Sequence, residues 1–201
     1  MIKKVFICTV LLIALTACQC TPPSVAENAV NKQYALKACK LQVALKKDGT
    51  LQSIHIGKSE VTGFSEDFLF FHNGSSLPEQ IKTSSPLADE TSLIYSHRLG
   101  KTRLKVSRTY SILEEEHQIV IRYHLKNRTD KPIQFKWRFK TPATKRTGDN
   151  LVQYFTDGKL SLKYDGKLPL NSKYPFFESQ LISIPSNNRV SWKVNIVLEK
   201  E

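Results

Sequence analysis

Apolar residues recur at every second position along most of this chain, and that period restricts it to β structure. Leu41, Val43 and Leu45 alternate with polar neighbours, and so do Leu104, Val106, Tyr110 and Ile112. Ile119, Ile121, Tyr123 and Leu125 repeat the pattern, followed by Ile133, Phe135, Trp137 and Phe139, and later by Val190, Trp192, Val194, Ile196 and Leu198. Successive side chains of an extended strand point to opposite faces, so each run presents one apolar and one polar face. The gaps between the runs are turn chemistry: Asp48-Gly49, Asn73-Gly74, Asn127 to Pro132, Asp157-Gly158 and Asp165-Gly166. Leu160 to Tyr164, set between two Asp-Gly pairs, reads as a short hairpin strand, and Asp67 to Phe71 is a dense apolar run. No segment has a helical apolar period of useful length, and nothing repeats at about 20–50 residues, the signature of propellers and solenoids. About a dozen antiparallel strands in one unit imply an all-β fold, a single antiparallel β-sandwich, with a barrel as the alternative.

The first residues obey a different rule. Lys3 and Lys4 precede the apolar stretch Val5 to Ala14, which falls short of the roughly 20 residues of a permanent membrane helix. A charged start followed by a short apolar run is the layout of an export signal. The stretch ends in Leu15-Thr16-Ala17-Cys18, which resembles the lipobox of bacterial lipoproteins. That resemblance implies removal of residues 1–17 and attachment of diacylglycerol and an acyl chain to Cys18. Two or more chains anchor a protein stably where one does not. Gln19 stands where members of the family retained at the inner membrane commonly carry Asp. The expected address is therefore a bacterial membrane, the outer membrane facing the periplasm in a two-membrane cell. Residues 18–32, with Pro22, Pro23 and no lasting apolar period, read as a lipidated tether. The folded domain is expected over 33–201.

Of the four cysteines, Cys8 leaves with the signal and Cys18 takes lipid. Cys20 and Cys39 remain, in a compartment that supports disulfides; they are either bridged or a free Cys20 and a buried Cys39. The sequence holds 30 Lys+Arg against 18 Asp+Glu, a formal charge of +12, of which Lys3 and Lys4 lie in the signal. Such a charge favours anionic partners. For an exported protein these are lipid headgroups, acidic glycans or acidic proteins rather than nucleic acid.

One stretch carries a further resemblance. Arg108 to Phe135 runs as a long strand, the acidic turn Glu114-Glu115-Glu116, an alternating strand, then Asn127-Arg-Thr-Asp-Lys-Pro132 and another strand. This is similar to the central strands of galactose mutarotase-like β-supersandwich domains and of the large periplasmic domain of YidC insertases. Asp48 to Ile56 resembles an early hairpin of such domains, and Ile182 to Val194 their closing turn into a Trp-containing strand. The likeness implies a supersandwich fold but carries no activity with it. The histidine pair of mutarotases has no matching string around His55, His72, His97, His117 or His124, and Glu178 lies roughly where a mutarotase base falls but without its neighbours. The transmembrane region that makes YidC an insertase has no counterpart.

No nucleophile elbow, phosphate loop, metalloprotease motif or nucleotide fingerprint is present, and no metal or organic cofactor is expected. The Glu114–Glu116 run reads as a solvated turn, and Asn73-Gly-Ser75 and Asn127-Arg-Thr129 match a glycosylation pattern of no weight in a bacterium. If segments 117–126 and 133–140 pair as a hairpin, Arg122, His124, Lys126, Lys136, Arg138 and Lys140 collect on one face. They then form either a solubilising surface or a site for an anionic partner. Arg108 falls on the apolar parity between Val106 and Tyr110. Either a bulge turns it outward, or it is buried against an acid in a groove that could hold a ligand. The expected function is a membrane-anchored, non-catalytic binding or assembly module for an envelope protein or anionic glycan. The alternatives are an aldose epimerase-like enzyme using Glu178 and a histidine, and a periplasmic chaperone-like domain.

Overall fold

In the computed structural model the alternating segments are strands, and every pairing between them is antiparallel. The structure describes residues 24–28, 33–38, 40–72, 75–77, 81–83, 87–88, 92–99, 104–113, 117–142, 145–147, 149–155, 158–171 and 176–199. Cys8, Cys18, Cys20 and Cys39, and with them the expected lipobox and the expected disulfide, lie outside these residues, as do Asn73-Gly74 and Glu114–Glu116.

Strands are numbered in chain order and form three sheets. The first is a meander of β1 (Ser24–Asn28), β2 (Gln33–Ala38), β3 (Leu41–Leu45), β4 (Leu51–Ile56) and β5 (Ser59–Thr62). A small sheet centres on β6 (Ser65–His72) and β13 (Ile133–Lys140), with β7 (Ser75–Leu77), β17 (Phe177–Glu178) and β18 (Ile182–Ile184) at its margins. The large sheet runs β14 (Lys145–Thr147), β15 (Asn150–Phe155), β16 (Gly158–Gly166), β19 (Arg189–Glu199), β12 (Gln118–Asn127), β11 (Leu104–Leu113), β10 (Ser92–Leu99), β8 (Ile81–Thr83), with β9 (Leu87–Ala88) also on β10. The described residues contain no helix.

The small and large sheets face each other across an aromatic core. Phe68 and Phe70 of β6 and Phe135, Trp137 and Phe139 of β13 come from one side, and Tyr123, Tyr164 and Trp192 from the other. Tyr123 stacks on Trp192 at 5.1 Å between ring centroids, and Trp137 meets Tyr123 at 5.3 Å and Trp192 at 5.4 Å. Offset and edge contacts of this kind add to the area that each ring buries. The chain is thus an all-β sandwich. The first sheet joins it through β2 against β11 and β4 against β6.

Three expectations are corrected. Segments 117–126 and 133–140 do not pair: β12 lies between β11 and β19 in the large sheet, whereas β13 pairs with β6, β17 and β18 in the small one. The connection crosses the sandwich because Asn127 ties it down. Its fully buried amide donates to the carbonyls of Lys131, Ile184 and Pro185, and its Oδ1 accepts from Thr129 N and Oγ1. Asp165-Gly166 is not a turn. Both residues continue β16 opposite Lys193 and Trp192, and a Cβ on Gly166 would lie 2.6 Å from Trp192 Cβ, so the glycine marks close approach. Finally, Ser24–Asn28 of the expected tether is paired with Gln33–Lys37 as an edge strand, with Val25 packed on the core.

Candidate functional site

The strand parity of β6 sends Glu66 inward with Phe68 and Phe70, and that of β11 sends Arg108 inward between Val106 and Tyr110. No bulge relieves it: β11 pairs with β12 in unbroken register from Leu104 to Leu113. Arg108 Nε lies 2.7 Å from Glu66 Oε2, with the two side chains 3% and 2% exposed. Trp137 Nε1 donates to Glu66 Oε1 at 2.7 Å. Arg108 Nη1 donates to the Asp48 carbonyl at 3.1 Å, its guanidinium stands 5.3 Å from the Phe68 ring centroid, and the Tyr110 hydroxyl donates to the Gly49 carbonyl at 2.7 Å. Burial pushes the Glu66 carboxyl above its ordinary range, against the pull of Arg108. Burial also opposes the charge on Arg108, but Glu66 and the tyrosines beside it outweigh that and hold the guanidinium protonated.

Asp48 and Gly49 belong to the β3–β4 turn. Asp48 Oδ1 accepts from Thr50 N and Oγ1, and Gly49 adopts φ +77° directly against Tyr95. The assembly therefore takes Glu66 from the small sheet, Arg108 from the large sheet and two carbonyls from the first sheet. It pins the three sheets at one point. Chemically it is closed, because both charges are spent on each other and neither presents a face to solvent.

Glu178 is likewise engaged. Its Oε2 lies 2.7 Å from both Nε and Nη2 of Arg138, across the β17–β13 pairing, and the carboxylate is 7% exposed. Phe176 covers this pair, 5.6 Å from the Arg138 guanidinium and 6.0 Å from Lys140 Nζ. No described histidine side chain joins it. His55 contacts Ser53 and Glu60 in the first sheet, His124 contacts Ser191 in the large sheet, and His117 occupies the turn before β12 with φ 47°. The side chains of His72 and His97 lie outside the described set. Among the described residues no three His, Cys, Asp or Glu side chains come together as a metal site.

The six expected basic residues are divided. Because the inward residues of β12 and β13 face each other, their outward residues lie on opposite sides of the sandwich. Arg122, His124 and Lys126 occupy the outer face of the large sheet, and Lys136, Arg138 and Lys140 that of the small sheet. Around His124 the missing company comes from other strands. Burial, then Arg189, Lys126 and Lys105, hold its imidazole below the ordinary value of 6.5. Lys105 and Arg189 were legible as outward residues of their strands, but the strand order that brings them to Lys126 was not.

No protein-family model matches the sequence, and no curated protein sequence is significantly similar to it. Solved structures are similar in fold. The Slr1438 protein of Synechocystis sp. PCC 6803 superposes with a TM-score of 0.51 at 10% identity, over 89% of this chain and 96% of that one. A protein of Escherichia coli provisionally assigned as an aldose 1-epimerase gives 0.50 at 10% identity, over 90% and 100%. One from Klebsiella pneumoniae, with the same provisional assignment, gives 0.51 at 9% identity, over 85% and 80%. At this identity the likeness is one of architecture: the chain shares the β-sandwich fold of these structures.

Proposed function

We propose that this chain is a membrane-anchored, non-catalytic binding module of a bacterial envelope. The observation that carries the reading is the fate of two buried carboxylates among the described residues. Glu66 is closed off by Arg108 and Trp137, and Glu178 by Arg138, so neither is available as a general base beside a substrate. A base must reach the proton it removes. The lipobox supports the anchor. With Cys18 lipidated, the first strand begins six residues later, a reach of about 20 Å at full extension, so the sandwich is held close against its membrane.

The fold similarity favours one other reading, an aldose epimerase in which Glu178 is the base. Magnetisation-transfer NMR on glucose and galactose separates the two. The binding module leaves anomer exchange at its spontaneous rate. Acceleration that disappears in Glu178→Gln would establish the enzyme instead. The anchor is tested by growth with labelled palmitate, where Cys18→Ser should leave the protein unlabelled.

A further inference from the structure

The outer face of the large sheet carries a pattern invisible strand by strand. Lys126 of β12 stands directly opposite Lys105 of β11 on one side and Arg189 of β19 on the other. Lys105 in turn pairs in register with Arg98 of β10, and Arg98 with Lys82 of β8. Five basic residues thus hold one unbroken backbone register row across five adjacent strands, and the side chains of Lys105, Lys126 and Arg189 stand on its outer face. At about 4.8 Å between strands the row spans about 19 Å. Among the described residues no carboxylate is ion-paired with Lys105, Lys126 or Arg189. Opposed like charges destabilise a sheet, so the row is held at a cost. The next row on the same face is polar: Ser96, Ser107, His124 and Ser191 follow in register, with Ser96 Oγ 3.4 Å from Ser107 Oγ and His124 Nδ1 2.8 Å from Ser191 Oγ.

We propose that this cation ladder, with the hydroxyl row beside it, binds an extended acidic polysaccharide chain. The proposal deepens the binding-module reading and rests on it. Three features select that ligand class. Adjacent strands rotate by about 20–25°, so the side chains of Lys105, Lys126 and Arg189, over two steps, fan through about 40–50° around the row. A flexible linear polyanion can follow that path, whereas a flat bilayer touches only part of it. Single-stranded nucleic acid binds on stacked aromatic side chains, and the two rows offer no ring but the His124 imidazole. Protein interfaces centre on apolar or aromatic anchors, and neither row carries one. Serine hydroxyls beside fixed cations suit a chain that presents carboxylates and hydroxyls together.

The test uses the full-length protein in neutral detergent and a length series of fluorescent oligogalacturonates, one carboxylate per sugar. Binding should tighten with length up to the span of the ladder and weaken steeply with salt, because the salt dependence tracks the number of charges neutralised. The triple variant K105E/K126E/R189E should lose about tenfold or more in affinity and show a shallower salt dependence. K37E/K58E/K167E carries the same change in net charge at exposed positions elsewhere and should stay within about twofold. Urea midpoints confirm that both variants fold. Equal losses in the two triples would overturn the ladder, as would affinity no greater than for polyglutamate, single-stranded DNA or phosphatidylglycerol vesicles. Absence of oligogalacturonate binding together with absence of anomer exchange overturns the ladder and leaves the binding-module reading standing. Accelerated anomer exchange overturns that reading whatever the ladder does.

Discussion

Arg108 Nε and Glu66 Oε2 lie 2.7 Å apart in the interior, where Trp137 Nε1 completes the carboxylate's contacts and the Asp48 carbonyl takes another guanidinium proton. A pair this buried is costly to break from one side, because the survivor is left charged and desolvated. Arg108→Met should lower unfolding free energy by about 3–5 kcal/mol, read from urea denaturation. Removing both charges with Arg108→Met and Glu66→Leu should recover much of that loss. Arg108→Lys should fall between, since an ammonium lacks the planar fork that reaches Asp48 while facing Phe68. A single variant no worse than the double would show that the pair does not act as a pin.

Arg108 also marks how far the sequence can be read. Its inward parity was plain from Val106 and Tyr110, so its burial hung only on whether a bulge intervened. Its partner was not readable. Glu66 sits at the start of the Asp67–Phe71 run, and nothing local says that this strand packs against one some forty residues away. The hairpin expected of 117–126 and 133–140 failed for a related reason. Alternation fixes which residues share a face of one strand, but not which strands are neighbours. Here the hydrogen bonds of Asn127 route the chain across the sandwich. The two halves of the expected basic face parted with the strands, and Lys105 and Arg189 came to Lys126 from strands distant in sequence.

The Asp48-Gly49 turn was legible as a turn, and its structure adds a second constraint. Gly49 has φ +77°, and a Cβ there would come within 2.5 Å of the Tyr95 ring. Gly49→Ala combines backbone strain with a clash against a fully buried aromatic, and should cost about 2–4 kcal/mol. Gly57, also at positive φ (59°), has nothing within 4 Å of a built Cβ, so Gly57→Ala isolates the backbone component at about 1 kcal/mol. Equal thermal shifts for the two alanines would show that Tyr95 yields freely.

Asn127 gives a sharper test of a buried polar side chain. Its amide serves three carbonyls and its oxygen serves Thr129, while the residue is wholly out of solvent. Asn127→Ala strands those carbonyls, at about 1–3 kcal/mol for each buried group left unsatisfied. Asn127→Asp keeps the acceptor for Thr129 but puts oxygen against the carbonyls of Ile184 and Pro185. It should therefore be at least as destabilising as alanine in urea unfolding at neutral pH. A milder aspartate would show that the three amide bonds contribute little.

The cation row makes the opposite prediction, a gain in stability. Lys126 faces Lys105 and Arg189, so Lys126→Glu turns two repulsive cross-strand pairs into attractive ones and should raise unfolding free energy by about 1 kcal/mol at low salt. The same change should appear at His124. Burial and the three cations Arg189, Lys126 and Lys105 depress its imidazole; Ser107 and Ser191 flank it across the strands, and the next row holds Arg122 and Lys193, with Asp165 bound to Lys193 at 2.9 Å. A group depressed in the folded state contributes stability above its unfolded value of 6.5, and that contribution is lost as pH falls through the folded value. Lys126→Glu should move the His124 titration, followed by its Hε1 resonance, back toward 6.5, and reduce the loss of stability on acidification below that pH. Salt should produce a smaller shift in the same direction. An imidazole that titrates identically in Lys126→Glu would mean that burial alone depresses it and that the row's field does not converge there.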